Sequence, residues 1–265
     1  MLEPSIDQGE GLRRSMPHVG LRVIPVVSRG ESKAEQPLLL QVCLSLQKFG
    51  QSVAVLDGTA TETEDNPGLS SLLNRGNWLA DFQQESAALH IMPARLGLSQ
   101  LVAQRSTHHS SLQTLTNHLK NYDVAVVYAP AAQLMELMPE TASRPLLMVA
   151  PFKKSIVNGY QTFKQFLVET NMTPTLVSLV TDAQGSAERR ANSAGETLQH
   201  CARTFLHMDT EVMTVRSFAV RGKARPNTPK LAMRLLEDSF AVHKAGFRTA
   251  AAEPPLQTWP EGWSR

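Results

Sequence analysis

The residues with the most obvious chemical potential lie between Ser28 and Pro37, where an apolar run ends and a helix-like pattern begins. The stretch reads Ser-Arg-Gly-Glu-Ser-Lys-Ala-Glu-Gln-Pro, with a single glycine, one lysine and two glutamates. A phosphate cradle at a strand–helix turn needs several glycines, a lysine that neutralises the anion and a hydroxyl that holds magnesium. The segment therefore has the position of a phosphate-binding loop but lacks its chemistry.

Two more polar positions follow later apolar runs. Asp57-Gly58-Thr59 ends one run and Tyr128-Ala129-Pro130 ends another. Ligands of parallel α/β sheets bind beyond the carboxyl ends of the strands, so both positions belong beside the loop after Ser28. Phosphoryl transfer needs acids there to hold magnesium and orient water, and only Asp57 supplies one. We expect Asp57 by itself to cap a strand end rather than to catalyse.

The elements that would position these residues alternate regularly along the chain. Short β-branched runs alternate with stretches of helical period, which predicts a doubly wound, mostly parallel α/β sheet with helices on both faces. The predicted strands are Leu21–Val27, Ser52–Asp57, Leu89–Met92, Asp123–Tyr128, Pro145–Ala150 and Thr175–Val180. The predicted helices are Pro37–Phe49, Ser110–Asn121, Ser155–Thr170, Ser186–Phe205 and Thr228–Lys244. Several of the runs are apolar on both sides of the pleat, as a sheet buried between helices requires.

Composition limits the classes of protein to consider. The chain has 265 residues, 42% of them hydrophobic, and a formal charge of +2 spread along its length. This predicts one domain over residues 21–245, between a flexible segment 1–20 and an irregular tail 246–265, and it argues against a nucleic-acid groove. Two cysteines and the lack of a long apolar stretch predict a reduced cytoplasmic protein without a secretory signal. We expect His108 and His109 to be solvated rather than to bind metal.

The segment from Leu21 to Gly50 resembles the opening of the MinD/ParA (SIMIBI) family of P-loop ATPases, in which the helix also closes in Leu-x-x-x-Gly. In this register Glu35 falls where the family has its phosphate-binding lysine, and Gln36 and Pro37 fall where it has two threonines. Gly30 is the one glycine left in the loop. Lys33 lies upstream and does not restore the loop geometry, and we expect Pro37 in the first turn of the helix.

The resemblance extends over roughly residues 21–245. Thr59 and Tyr128 stand where the family has its later acids, while Asp57 keeps the first one. Segments 66–73, 91–94 and 151–164 resemble the family's loop after the second strand, its Leu-Pro-Ala strand end and its Ser-Ile-x-Asp-Ala-Tyr helix. The resemblance implies the family's fold, together with loss of ATP hydrolysis and of ATP and magnesium binding.

Ahead of the first strand, Asp7-Gln8-Gly9-Glu10-Gly11-Leu12-Arg13 resembles the Asp-Gln-Ala-x-x-Leu-Arg segment of FlhG proteins, which control flagellar number. In that group the segment docks as a short helix on FlhF, an SRP-type GTPase. The resemblance implies that Asp7, Gln8, Leu12 and Arg13 contact such a GTPase, with Gln8 activating it. Two glycines, each costing about 1 kcal/mol of helix propensity, predict that the segment folds only on its partner. A frayed polar terminus is the alternative.

The sequence thus predicts a non-catalytic, FlhG-like regulatory protein. A divergent ATPase that uses Lys33, and a MinD-like accessory of another envelope machine such as cellulose secretion, remain alternatives. We expect residues 228–245 to form a helix that covers the core. The alternative is that this helix contacts a membrane peripherally, at a cell pole. The oligomeric state is left open, because the family's nucleotide-sandwiched dimers depend on the degenerate site.

Overall fold

The computed structural model describes residues 20–75, 89–104, 111–138, 143–170, 172–181, 186–216 and 227–242. The strands are β1 Leu21–Ser28, β2 Val53–Asp57, β3 Leu89–Pro93, β4 Val124–Pro130, β5 Leu146–Val149, β6 Thr175–Val180, β7 Val212–Arg216 and β8 Phe240–Val242. The helices are α1 Ser32–Lys48, α2 Leu69–Arg75, α3 Arg95–Ala103, α4 Ser111–His118, α5 Ala131–Leu137, α6 Lys153–Glu169, α7 Ala187–Leu206 and α8 Asn227–Glu237.

The strands form one sheet in the order β3-β2-β4-β1-β5-β6-β7, and all neighbours in this path are parallel. The short strand β8 pairs antiparallel with the start of β1. The predicted doubly wound α/β fold is confirmed. Because parallel strands share one carboxyl edge, the loops after β1, β2 and β4 meet there, with Asp57 directly opposite Tyr128.

Alternate residues of the strands point into two separate cores, as the pleat requires. On one face, Ile24 and Val26 of β1 pack with α1 and α8. On the other face, Val23 and Val27 pack with residues of the helices from α2 to α7. Both cores include residues that are fully buried. The sheet is therefore covered on both sides, which explains why the central strands are apolar throughout.

Two predicted helix boundaries are wrong. Helix α1 begins at Ser32, so Pro37 lies inside the helix and not in its first turn. Proline at this position removes one N–H donor, which would otherwise bond to the carbonyl oxygen of Lys33, and the helix continues to Lys48 with that one bond missing. Helix α8 ends at Glu237, and Phe240–Val242 is a strand, although the pattern predicted a helix to Lys244. Pairing with β1 outweighs the helical period of these last residues.

Helix α8 packs on the core, with Leu231, Ala232 and Leu235 buried and its main helix neighbour being α1. This agrees with the core-covering interpretation of its sequence. None of the helices in the described ranges is both long and apolar enough to cross a membrane.

Candidate functional site

The loop between β1 and α1 is short. Gly30 adopts a φ of 77°, a conformation that favours glycine, and it turns the chain from the strand into the helix. The carbonyl oxygen of Glu31 accepts the backbone N–H groups of Ala34 and Glu35, which begins the helix. The turn thus brings the first helical turn of α1 directly over the end of β1.

The side chain of Glu35 is fully buried and points back toward this loop. Its carboxylate accepts the backbone N–H of Arg29, with N–O distances of 3.2 and 3.4 Å. The hydroxyl of Tyr128, at the end of β4, donates to Glu35 Oε2 at 2.6 Å. Glu35 and Tyr128, which the sequence resemblance placed at the lysine and acid positions of a nucleotide site, are therefore bonded to each other.

The guanidinium of Arg29 occupies the space between the loop and α6. It bonds to Glu31 Oε2 at 3.1 Å, to the carbonyl oxygen of Ser155 at 2.7 Å and to Ser155 Oγ at 2.6 Å. Ser155 Oγ in turn donates to Glu31 at 2.9 Å and accepts the N–H of Ala150. The Arg29 side chain is only 6% exposed. We call Arg29, Glu31, Glu35, Tyr128 and Ser155 the edge network.

Burial perturbs the protonation of this network. Desolvation raises the pKa of Glu35, although the Tyr128 hydroxyl and the Arg29 charge act in the opposite direction. Burial and the neighbouring Glu35 raise the pKa of Tyr128 and keep its hydroxyl protonated as a donor. Burial also lowers the pKa of Arg29, while Glu31 and Glu35 oppose the shift. The guanidinium remains the cation that offsets the two carboxyl groups.

These residues do not fit a magnesium–nucleotide complex. A phosphate needs convergent N–H donors and a cation, whereas here the N–H of Arg29 already serves Glu35 and its guanidinium already serves Glu31 and Ser155. A polyphosphate in the loop would also face the carboxylates of Glu31 and Glu35, while Lys33 is exposed on α1. The chemistry available to the edge network is therefore to hold the loop closed by internal hydrogen bonds.

The other predicted residues of the degenerate site are not part of this network. Lys33 and Gln36 are exposed on α1. Asp57 ends β2, and its Oδ1 accepts both the N–H and the hydroxyl of Thr59, at 2.9 and 2.6 Å. Asp7, Gln8, Leu12 and Arg13, like His108 and His109, lie outside the described residues.

Sequence reasoning missed Arg29 and Ser155 as partners, because they are far apart along the chain. One signal was present at Gly159, where the family's helix has alanine. A Cβ built on Gly159 would lie 3.3 Å from Arg29 Nη1 and 2.7 Å from Val149 Cγ2. The glycine therefore leaves space that a methyl group would take from Val149 and from the buried guanidinium.

Glu62 is a second buried carboxylate at the same edge, in the loop after β2, and it too was missed. Its oxygens accept the N–H of Leu96 at 2.7 Å, of Gly97 at 2.8 Å and of Ser70 at 3.3 Å. These donors belong to the first turns of α3 and α2, whose N–H groups have no intrahelical partners. Glu62 thus joins two helix starts through their backbones.

Solved structures with a similar fold include a chain of the MinC:MinD cell division protein complex of Aquifex aeolicus. It matches with a TM-score of 0.54 and 13% identity over 84% of this chain and 98% of that chain. Cobyrinic acid a,c-diamide synthase from Mycobacterium smegmatis, with a bound ATP analog and magnesium, matches with a TM-score of 0.53 and 12% identity over 82% and 95%. No protein-family model and no curated protein sequence matches the chain. The chain therefore has a MinD/ParA-like P-loop fold, and at these identities the likeness concerns the fold alone.

Proposed function

We propose that this protein is a non-catalytic regulator built on a MinD/ParA-like fold, which acts through protein contacts rather than through ATP hydrolysis. The observation that carries the proposal is the hydrogen bond from Tyr128 to the buried Glu35, at the position of the lost phosphate-binding lysine. Nucleotide binding would have to break this bond and expose the Arg29–Glu31 pair, with no charge gained in return.

The fold likeness supports action through a partner protein. The MinD neighbour from Aquifex aeolicus was solved in a complex with another protein, MinC. A fold of this kind can therefore present a surface to a partner protein.

The test of the first part is a calorimetric titration of the full chain with ATP and magnesium. We expect no binding up to millimolar ATP, and no turnover in Glu35→Lys, because the loop would still lack its glycines, the metal hydroxyl and two acids. Lys33→Ala is the matched control. Micromolar, magnesium-dependent binding that Lys33→Ala abolishes would show that the chain is a divergent ATPase.

The finer part of the proposal concerns the partner, an SRP-type GTPase similar to FlhF. It is supported by the resemblance of Asp7, Gln8, Leu12 and Arg13 to the FlhG activator segment. We propose that Gln8 orders the catalytic site of the GTPase and that Leu12 anchors the segment in an apolar pocket. Such a segment would act locally, with the folded domain as its carrier.

The test is GTP turnover by a purified FlhF-type GTPase, titrated with the full chain and with a peptide of residues 1–20. Gln8→Ala should abolish most of the stimulation and preserve binding, because a residue that orders the catalytic site acts on the transition state. Leu12→Ala should weaken docking by about 1–3 kcal/mol, a loss that a higher concentration offsets. Equal stimulation by the parent and Gln8→Ala proteins would refute an activating role.

A further inference from the structure

On one face of the sheet, the helices within the described ranges are fewer than the width of the sheet requires. The seven parallel strands lie about 4.8 Å apart, and each packed helix covers about 10 Å, or two strands. Within the described ranges, α1 and α8 are the helices of the core on this face. At the edge of the sheet beside α1, Val53 and Val55 of β2 are buried, whereas Ile91 of the outermost strand β3 is exposed.

The side chains at this place are unusually exposed for their type. Leu40 and Leu44 of α1 are 45% and 44% exposed, and Ile91 of the edge strand β3 is 61% exposed. Between α1 and the two strands runs a groove of about 500 Å³, within the range of sites that hold a large side chain or a ligand. The lining residues are Gln36, Pro37, Leu39, Leu40, Cys43, Val55, Asp57, Ile91 and Tyr128.

The arrangement of apolar and charged residues along the groove indicates which kind of group it could bind. Its length is apolar, and Asp57 supplies a carboxylate at the end next to the edge network. An occupant that matches these features has a large apolar group with a cation a short distance away. Residues 243–265 have this composition, with Phe247, Leu256, Trp259 and Trp263, followed by Arg265 two positions after the last tryptophan.

We propose that the C-terminal segment 243–265 docks on its own domain, with Trp259 and Trp263 in the groove and Arg265 beside Asp57. The strand registers show that the distance is suitable. Ile91 is level with Ile24 of β1, while Val242 is opposite Leu21, three residues lower. Four strand spacings separate β8 from β3, so the two positions are about 22 Å apart.

The length of the connecting chain matches this span. Trp259 follows Val242 by 17 residues, and a chain of that length without fixed structure has a root-mean-square extension of about 23 Å. Effective concentration is highest when the length of the connection equals the distance to be spanned. An indole also buries more area than the aliphatic residues of the N-terminal segment, so the C-terminal segment is the better-suited terminus.

The inference goes beyond the proposed function and does not depend on it, since the groove can be tested without nucleotide or GTPase. The chain has three tryptophans, Trp78, Trp259 and Trp263. In a Trp78→Phe protein only the C-terminal pair emits. We expect blue-shifted emission and an acrylamide quenching constant several-fold lower than in the same protein unfolded in urea.

Two groove variants and one control complete the experiment. Ile91→Asp and Leu40→Glu place a charge on opposite walls, and each should move the emission and the quenching to the values of the unfolded chain. Val168→Asp on α6, at a residue 71% exposed, should leave both unchanged. The proposal would be overturned if acrylamide quenches both tryptophans fully in the parent, or if neither groove variant changes their emission and quenching.

Two further results would identify a different occupant and so refute the proposal. A blue shift that disappears on dilution, with a matching change in sedimentation, would mean that a second copy fills the groove. A protein with both Trp259→Phe and Trp263→Phe keeps Trp78 as its one tryptophan, so its emission comes from that residue alone. A response of Trp78 to Ile91→Asp, without one from the C-terminal pair, would assign the groove to residues 76–88.

Discussion

Glu35 and Glu62 are both buried carboxylates at the carboxyl edge of the sheet, but they are held in different ways. Glu62 is bound by three backbone N–H groups from the starts of two helices. Glu35 receives one backbone N–H and depends otherwise on two side chains, Tyr128 and Arg29. The loop after β2 is therefore fixed by backbone donors, and the loop after β1 by a network of side chains.

The difference explains why the two loops differ in sensitivity to substitution. Backbone donors are present whatever the sequence, so the β2 loop needs only its carboxylate. The edge network needs each member, because removing one leaves a buried polar group without its partner. Two of its members, Glu35 and Tyr128, are the residues that the sequence placed at the lysine and acid positions of a nucleotide site.

The largest expected effect is at Glu62. Replacing it with alanine leaves three N–H groups at two helix starts without their acceptor, which should lower the free energy of unfolding by about 3 kcal/mol. Urea unfolding measures this directly. Glu64→Ala, an exposed acid in the same loop, should change stability by less than about 0.5 kcal/mol. Similar losses for the two variants would mean that Glu62 does not join the helices.

A smaller effect is expected at Tyr128. Tyr128→Phe keeps the ring in the core but removes the donor to Glu35, so the free energy of unfolding should fall by about 1–2 kcal/mol. The matched control is Tyr160→Phe on α6, where the tyrosine is only half-buried. If unfolding by urea is unchanged in Tyr128→Phe, the hydroxyl does not support the edge network.

The pH dependence of stability tests the burial of the Glu35 side chain. Burial raises the pKa of Glu35 above its ordinary value of 4.5, so the folded protein keeps a proton that the unfolded chain releases. The contribution of Glu35 to stability is therefore complete below pH 4.5 and declines as the pH rises through the folded-state pKa. Glu35→Gln cannot lose this proton. Its stability relative to the parent should therefore increase as the pH rises above that ordinary value, and parallel curves would contradict the assignment.

Much of the fold could be predicted from the sequence because its central strands are buried on both faces and read as continuous apolar runs. Strand β7, Val212–Arg216, was missed because it is an edge strand with mixed side chains. Strand β8 was missed because three residues are too few to show an alternating pattern. The loss of the nucleotide site, inferred from Glu35 and Tyr128 in the family register, stays a prediction. The hydrogen bond between Glu35 and Tyr128 could not be predicted, because it joins positions 93 residues apart along the chain.

The smallest expected effect tests whether Gly159 was selected for the guanidinium of Arg29. Gly159→Ala gains about 1 kcal/mol of helix propensity, but the new methyl group would lie 2.7 Å from Val149 Cγ2 and 3.3 Å from Arg29 Nη1. The crowding against Val149 is present with or without Arg29, so the single variant alone does not decide the question.

A double-mutant cycle with Arg29→Met decides it, because the cycle isolates the part of the destabilisation that depends on the guanidinium. We expect Gly159→Ala to be more destabilising in the parent than in Arg29→Met, with a coupling of about 0.5 kcal/mol or more. Gly195→Ala on α7, where a Cβ would meet Val212 at 3.2 Å, should show no coupling to Arg29. Additive effects of Gly159→Ala and Arg29→Met would mean that the glycine serves the packing of α6 on β5 and is unrelated to the edge network.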